Sequence, residues 1–225
     1  MKKTIFTILT FIVFFSCQNK KKKSGADNST NQFDTTDIAQ TIFDFEPYDY
    51  DTILNGGYNL KYKVYKDQKT NEKLQSLTLR KGNKEIKVLN ETSFPMLFKS
   101  LGFIGADFEN SFVFTQSFGA GNPSYIQLIN KASGQELLKG TWVDVDESEQ
   151  VLLYIENEHE ENQELVIYDL KNENKIISKG FENSNCVQNV IGGLRNCVEI
   201  DTITTNEIIL KIKTYEEKII KKYNR

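Results

Sequence analysis

Residues 125–140 read YIQLINKASGQELLKG and residues 165–180 read LVIYDLKNENKIISKG. Laid over one another at an offset of 40, both open on an apolar run, pass through a polar turn that begins with lysine, and close on Lys-Gly. The likeness extends upstream. Residues 103–114 (FIGADFENSFVF) lie over 142–153 (WVDVDESEQVLL) at an offset of 39, each with an aromatic start, an aspartate (Asp107 or Asp146) and a following strand. A weaker third copy begins at Val198, with Asp201 in its turn and residues 207–213 as its strand. A period near 40 made of strand, turn, strand and hairpin is the spacing of a propeller blade. The expected fold is therefore all-β: antiparallel meander repeats of about 40 residues forming a small or incomplete propeller-like array, with a β-sandwich of the same hairpins as the alternative.

The rest of the chain fits that reading. Alternating or short apolar runs rich in Tyr, Phe, Ile and Val occur at 58–65, 74–79, 85–89, 111–117, 125–129, 151–155, 164–170, 175–178 and 207–213. Turn clusters at 67–71, 81–83, 119–123, 131–134 and 171–174 separate them. The hairpins between 58 and 89 form an earlier, divergent unit. No long helix is expected; residues 95–101 suit one or two helical turns. The unit running through Trp142, Asp146, Val151 and Tyr168 to Gly180 resembles the periplasmic TolB-like propeller repeat, with Asp146, Glu147, Ser148 and Glu149 where that family carries Ser-Pro-Asp-Gly.

The start of the chain carries a different message. Lys2 and Lys3 precede an apolar-plus-Thr run over 4–15, and Ser16 and Cys17 follow it. This is a charged n-region, a short h-region and a small residue before a cysteine, the pattern of an export signal. As a helix the run would reach roughly 18 Å against roughly 30 Å of hydrocarbon, too short for a comfortable span. Phe14, Phe15, Ser16 and Cys17 resemble the lipobox of bacterial lipoproteins, whose cysteine receives a diacylglycerol thioether and an acylated amino group after cleavage before it. An ordinary secretory signal with an incidental cysteine is the plainer alternative. Behind Cys17 come Lys20, Lys21, Lys22 and Lys23 and a polar run without apolar periodicity, which reads as a disordered tether of at most roughly 75 Å when extended. The expected organisation is thus a cleaved signal at 1–16, a lipidated Cys17 and tether at 17–40, and a single all-β repeat domain at 41–225.

Charge narrows the partners. Residues 24–207 hold 16 basic and 29 acidic side chains, a net of −13, so the body lacks the basic face that tracking phosphates requires and nucleic acid is not expected as a partner. The lysines beside Cys17 suit anionic headgroups, making the membrane, through the lipid anchor, the first partner. Cys186 and Cys197 are an even pair in an exported chain, where a disulfide is the simplest reading and two buried free thiols the alternative.

Candidate chemistry is sparse. His159 is the sole histidine and sits in a polar hairpin loop without a nucleophile beside it, so neither a triad nor a histidine-ligated metal site is expected. The 119–123 glycine-rich loop has no Gly-Lys-Ser/Thr and reads as a turn rather than a phosphate cradle. Asp144, Asp146 and Ser148 take the first places of a calcium loop, but Glu149 and Ile155 stand where Gly and Glu are needed. No cofactor, metal ligand set or catalytic residue is assigned.

Two surfaces stand out instead. From 140 to 170 there are ten acids and no Lys or Arg, and Glu156, Glu158, Glu160 and Glu161 cluster in one loop. Such a loop attracts a basic envelope protein; it equally keeps a hairpin soluble and its edge unpaired. The segment between the cysteines, with Arg195 at one foot, is a pre-organised candidate if the disulfide forms. The functional expectation is a membrane-anchored cell-envelope lipoprotein displaying a non-enzymatic binding or scaffolding domain. The alternatives are a carboxylate-based, metal-assisted hydrolase, which requires Asp107, Asp146 and Asp201 to converge at one mouth, and a structural subunit of an envelope assembly.

Overall fold

The computed structural model describes residues 53–214 and 218–225. The expected signal, Cys17, the four lysines and the tether lie outside the described residues. Within them the chain is all-β, and every sheet is an antiparallel meander in sequence order. The first sheet holds β1 (Ile53–Leu54), β2 (Tyr58–Lys66), β3 (Lys73–Lys81) and β4 (Lys84–Ser93). The second holds β5 (Phe103–Asp107), β6 (Ser111–Ser117), β7 (Ser124–Asn130), β8 (Glu136–Asp146), β9 (Val151–Glu156), β10 (Glu164–Asp169) and β11 (Asn174–Ser178). The third holds β12 (Val198–Ile203), β13 (Glu207–Ile212) and β14 (Ile220–Asn224). Helix is confined to a 3-10 turn (Asn55–Gly57) and the short α1 (Phe98–Leu101), α2 (Asn185–Asn189) and α3 (Leu194–Cys197).

The two strong repeat copies are the two halves of the seven-stranded sheet, and they share β8. Its first half pairs with β7, its second half pairs with β9, and Thr141 alone faces a partner on both sides, Tyr125 and Ile155. At this crossing the sheet folds on itself. Ala106, Phe108, Val113, Ile126 and Leu128 of the first half pack against Leu152, Tyr154 and Val166 of the second. Because side chains alternate across a strand, the intervening residues form the outer faces. Phe112, Phe114 and Ile129 pack on Leu60, Leu77 and Leu79 of the first sheet. Val151, Leu153, Ile155, Leu165 and Ile167 pack on Val198, Ile208, Leu210 and Ile212 of the third. Four layers thus enclose three cores, in a propeller-like order that does not close, with sandwich-like packing between neighbours.

Gly140 makes the crossing passable. A Cβ there would stand 2.5 Å from the Ile155 carbonyl oxygen and 2.7 Å from the Tyr154 ring. The first strand of each of the last three layers also carries a register shift, around Gly105, Val143 and Asp201. In β5 and β8 the shift leaves Asp107 opposite Phe112 and Asp146 opposite Val151 at the mouth of the turn. In β12 the equivalent pair is Ile203 with Ile208. Asp201 therefore lies in the bulge of a strand rather than in the turn expected for the third copy, because the extra residue displaces it from the repeat position.

Ion pairs tie the outer layers to the inner ones. The Lys131 ammonium, 1 % exposed, pairs with Asp107 at 2.6 Å and donates to the carbonyl oxygens of Phe108, of Glu109 at 3.3 Å and of Asn55 at 3.4 Å. Asp107 in turn accepts the Asn55 N–H at 2.7 Å. On the far side Arg225 donates to Asp169 at 2.8 Å, to Glu149 at 2.7 Å and to the Glu149 carbonyl at 2.8 Å.

Candidate functional site

The chain between the second and third sheets is built around a disulfide. Cys186 and Cys197 are bonded with their Cα atoms 5.8 Å apart, and both are buried in the core beneath the third sheet. Ser184 caps α2 by accepting the Val187 N–H at 3.2 Å. Gly192 and Gly193, at φ 88° and 45°, turn the chain back into α3, and Asn196 donates to the Ile191 carbonyl at 2.6 Å. The tip residue Ile191 is 84 % exposed, whereas the Arg195 side chain is only 11 % exposed.

The acidic loop meets this stapled segment. Residues 157–163 join β9 to β10 in a double turn, with the Glu160 N–H on the Asn157 carbonyl at 3.0 Å and the Gln163 N–H on that of Glu160 at 3.2 Å. Glu156 is engaged by the Tyr154 hydroxyl and the Lys175 ammonium, each at 2.7 Å. Burial first, and then this contact with Glu156, drives the Tyr154 phenol well above its ordinary range. Glu160 and Glu161 point to solvent. Glu158 turns inward, with its side chain 6 % exposed and its carboxylate 3.6 Å from Arg195 and 3.9 Å from the exposed His159 ring. Glu158 Oε2 and Arg195 Nη1 are both buried without a hydrogen-bond partner. The two candidate surfaces are therefore one junction, with Glu158 and Arg195 as its buried contact.

Beside the junction lies a pocket of about 330 Å³, walled by Gln116, Tyr125, Lys139, Thr141, Asn157 and Glu158. It occupies the outer side of the β8 crossing. A second hollow of about 300 Å³ is lined by Asn122, Ser124, Trp142, Arg195 and Asn196. Tyr125 is 48 % exposed and packs on Phe118, itself 51 % exposed, at a centroid distance of 6.3 Å and an interplanar angle of 58°. These aromatics were not among the residues singled out from sequence. The available signal was their position flanking the 119–123 turn, which the Asn122 N–H closes on Gly119 at 3.0 Å.

The repeat aspartates are held by separate partners. Asp146 accepts from the Ser148 hydroxyl at 2.6 Å and the Glu149 N–H at 2.9 Å, contacts that lower its pKa in that order. Asp201 pairs with Lys211 at 2.7 Å, which lowers its pKa, and Asp107 pairs with Lys131. Asp144 accepts the Ile200 N–H at 2.9 Å, joining β8 to β12. Among the described residues no group of three or more His, Cys, Asp or Glu is placed to hold a metal ion. A further hollow of about 490 Å³ lies at Glu149, Lys171, Thr204 and Arg225, where the charges already pair with one another. Compared with known proteins, the chain matches no family model, no curated protein and no solved structure.

Proposed function

We propose that the chain is a lipid-anchored protein of the bacterial cell envelope, and that its β-array is a non-enzymatic binding module displayed away from the membrane. The observation that carries the binding assignment is the junction itself: a disulfide-stapled segment and an acidic loop held together by Glu158 and Arg195 beside an open pocket. Loops fixed on a rigid scaffold lose little freedom on binding, which is how such surfaces gain affinity. The disulfide suits an oxidising compartment, and the lipobox-like start supplies the route there. Cys17 would carry the acyl chains, each buried CH₂ contributing about 0.8 kcal/mol to anchoring. The polar run behind it would let the array stand off the surface, with the lysines lying against anionic headgroups.

Glu160 and Glu161, both exposed at the rim of the junction, steer a basic envelope protein towards it. Full-length chain immobilised in detergent should retain basic envelope proteins at low salt and release them as screening rises. Reversal of Glu160 and Glu161 to Lys should abolish that retention, while reversal of the exposed Lys84 on the first sheet should not. Retention that is indifferent to the Glu160 and Glu161 changes contradicts the surface assignment.

A further inference from the structure

The pocket beside Glu158 exists because the two outer sheets stop short of one another. Gln116, Tyr125, Thr141 and Ile155 are direct neighbours in a row across β6, β7, β8 and β9. On one side of that row the first sheet covers the outer face, and on the other side the third sheet covers it. Along the row Thr141 and Ile155 are buried, whereas Tyr125 is left 48 % exposed and open to a ligand. The Gln116 amide nitrogen is fixed on the Ser100 carbonyl at 3.1 Å, so its oxygen is the part left to a guest.

We propose that this pocket is a saccharide-binding site that takes a neutral, hydroxyl-rich ring of an oligosaccharide, with Tyr125 as platform and Glu158 as anchor. The proposal rests on the reading of the array as a binding module and names the ligand class of its junction.

Three observations select that class. Glu158 is a carboxylate acceptor with a buried oxygen lacking a donor, and Arg195 beside it is a donor lacking an acceptor. Leaving such groups without partners is costly in a buried setting, and a hydroxyl, which both donates and accepts, is the neutral group that serves either. Glu158 already lines the pocket, so its vacant acceptor can take a ligand O–H without a change of fold. Charge favours a neutral guest. Lys139 on the same wall opposes a cation, and Glu158 opposes an anion. The third observation is the ring pair. Tyr125 and Phe118 stay about half exposed in a tilted contact, giving an apolar plane for the C–H face of a sugar while amide and carboxylate groups flank it.

The test is isothermal titration calorimetry of the full-length chain in a detergent without sugar headgroups, against chitotriose, cellotriose, maltotriose and mannotriose, with trilysine and inorganic phosphate as charged comparators. At least one neutral trisaccharide should bind with a dissociation constant of a few millimolar or tighter, and the comparators should not bind through Tyr125. Tyr125→Ala should weaken binding by about 10-fold or more, and so should Glu158→Gln. The exposed Tyr125 site keeps the test valid if Glu158→Gln disturbs its loop. Heat from none of the four trisaccharides, saccharide binding untouched by Tyr125→Ala, or trilysine or phosphate binding that is lost with Tyr125→Ala overturns the assignment. If retention of basic proteins through Glu160 and Glu161 persists while saccharide binding is absent, the ligand class is wrong and the module reading stands. Loss of both removes the module reading as well.

Discussion

Asp169 is fully buried, and its carboxyl answers to opposing forces. Burial alone would push its pKa up; the hydrogen bonds from Arg225 and Asn172, with the Arg225 charge, outweigh burial and hold it below the usual carboxylate range. The Arg225 pKa is raised in return, first by Asp169 and then by Glu149. A carboxyl depressed in the folded chain adds stability above its unfolded pKa, near about 4, and that contribution disappears as pH falls through the lower folded value. Urea midpoints should therefore drop as pH is taken below about 4, and Arg225→Gln should lower the midpoint at neutral pH and flatten the acid limb. Equal acid slopes in the two proteins would contradict the pairing. The cysteine pair was plain in the sequence, since two leftover cysteines behind an export-like start have a simple use. It did not show Arg225 with Asp169, or Lys131 with Asp107, because these partners lie 56 and 24 positions apart and nothing local marks one lysine among many as buried.

At the scale of elements, β8 organises the site. The expected runs at 111–117, 125–129, 151–155, 164–170 and 175–178 match β6, β7, β9, β10 and β11, but β5 and β8 were not among them, and Lys-Gly read as the end of a unit when Gly140 lies inside one continuous strand. Two features hid that continuity. Gly140 adds no side chain to the alternation, and the register shift around Val143 inserts one residue, so Val145 joins Leu138 and Trp142 on the inner core while Val143 faces the outer one. Strand β14, with Lys221 and Lys222 among its few residues, carries too little apolar signal to be read as a strand. Gly140→Ala should destabilise the array by about 1–3 kcal/mol through overpacking against Ile155 and Tyr154, read by thermal unfolding; an unchanged midpoint would show that the crossing has room. The disulfide closes a separation of 11 residues, for which chain entropy gives roughly 2–3 kcal/mol. Reduction, or Cys186→Ser with Cys197→Ser, should lower the unfolding midpoint accordingly. It should also raise hydrogen exchange in residues 184–197 more than in β2 to β4, whereas a uniform rise would mean the staple serves the whole array.

Across the whole molecule, four layers and three cores give an open stack, and its outer layers are tied inward by paired charges. The fold class was legible because strands such as β2 alternate apolar and polar residues, while β6 and β9, buried on both faces, read as short apolar runs between turns. The junction was legible only as two separate loops, since nothing in the spacing of Glu158 and Arg195, 37 positions apart, shows that they meet. The proposed anchor would join the start of the chain to the displayed binding module. The direct measurement is the intact mass of the mature chain extracted from the membrane fraction of an expressing bacterium. The proposal predicts a chain that has lost residues 1–16 and carries acyl groups on Cys17, with Cys186 and Cys197 oxidised. A membrane-extracted chain that retains Met1, or that begins at an unmodified Cys17, would contradict it.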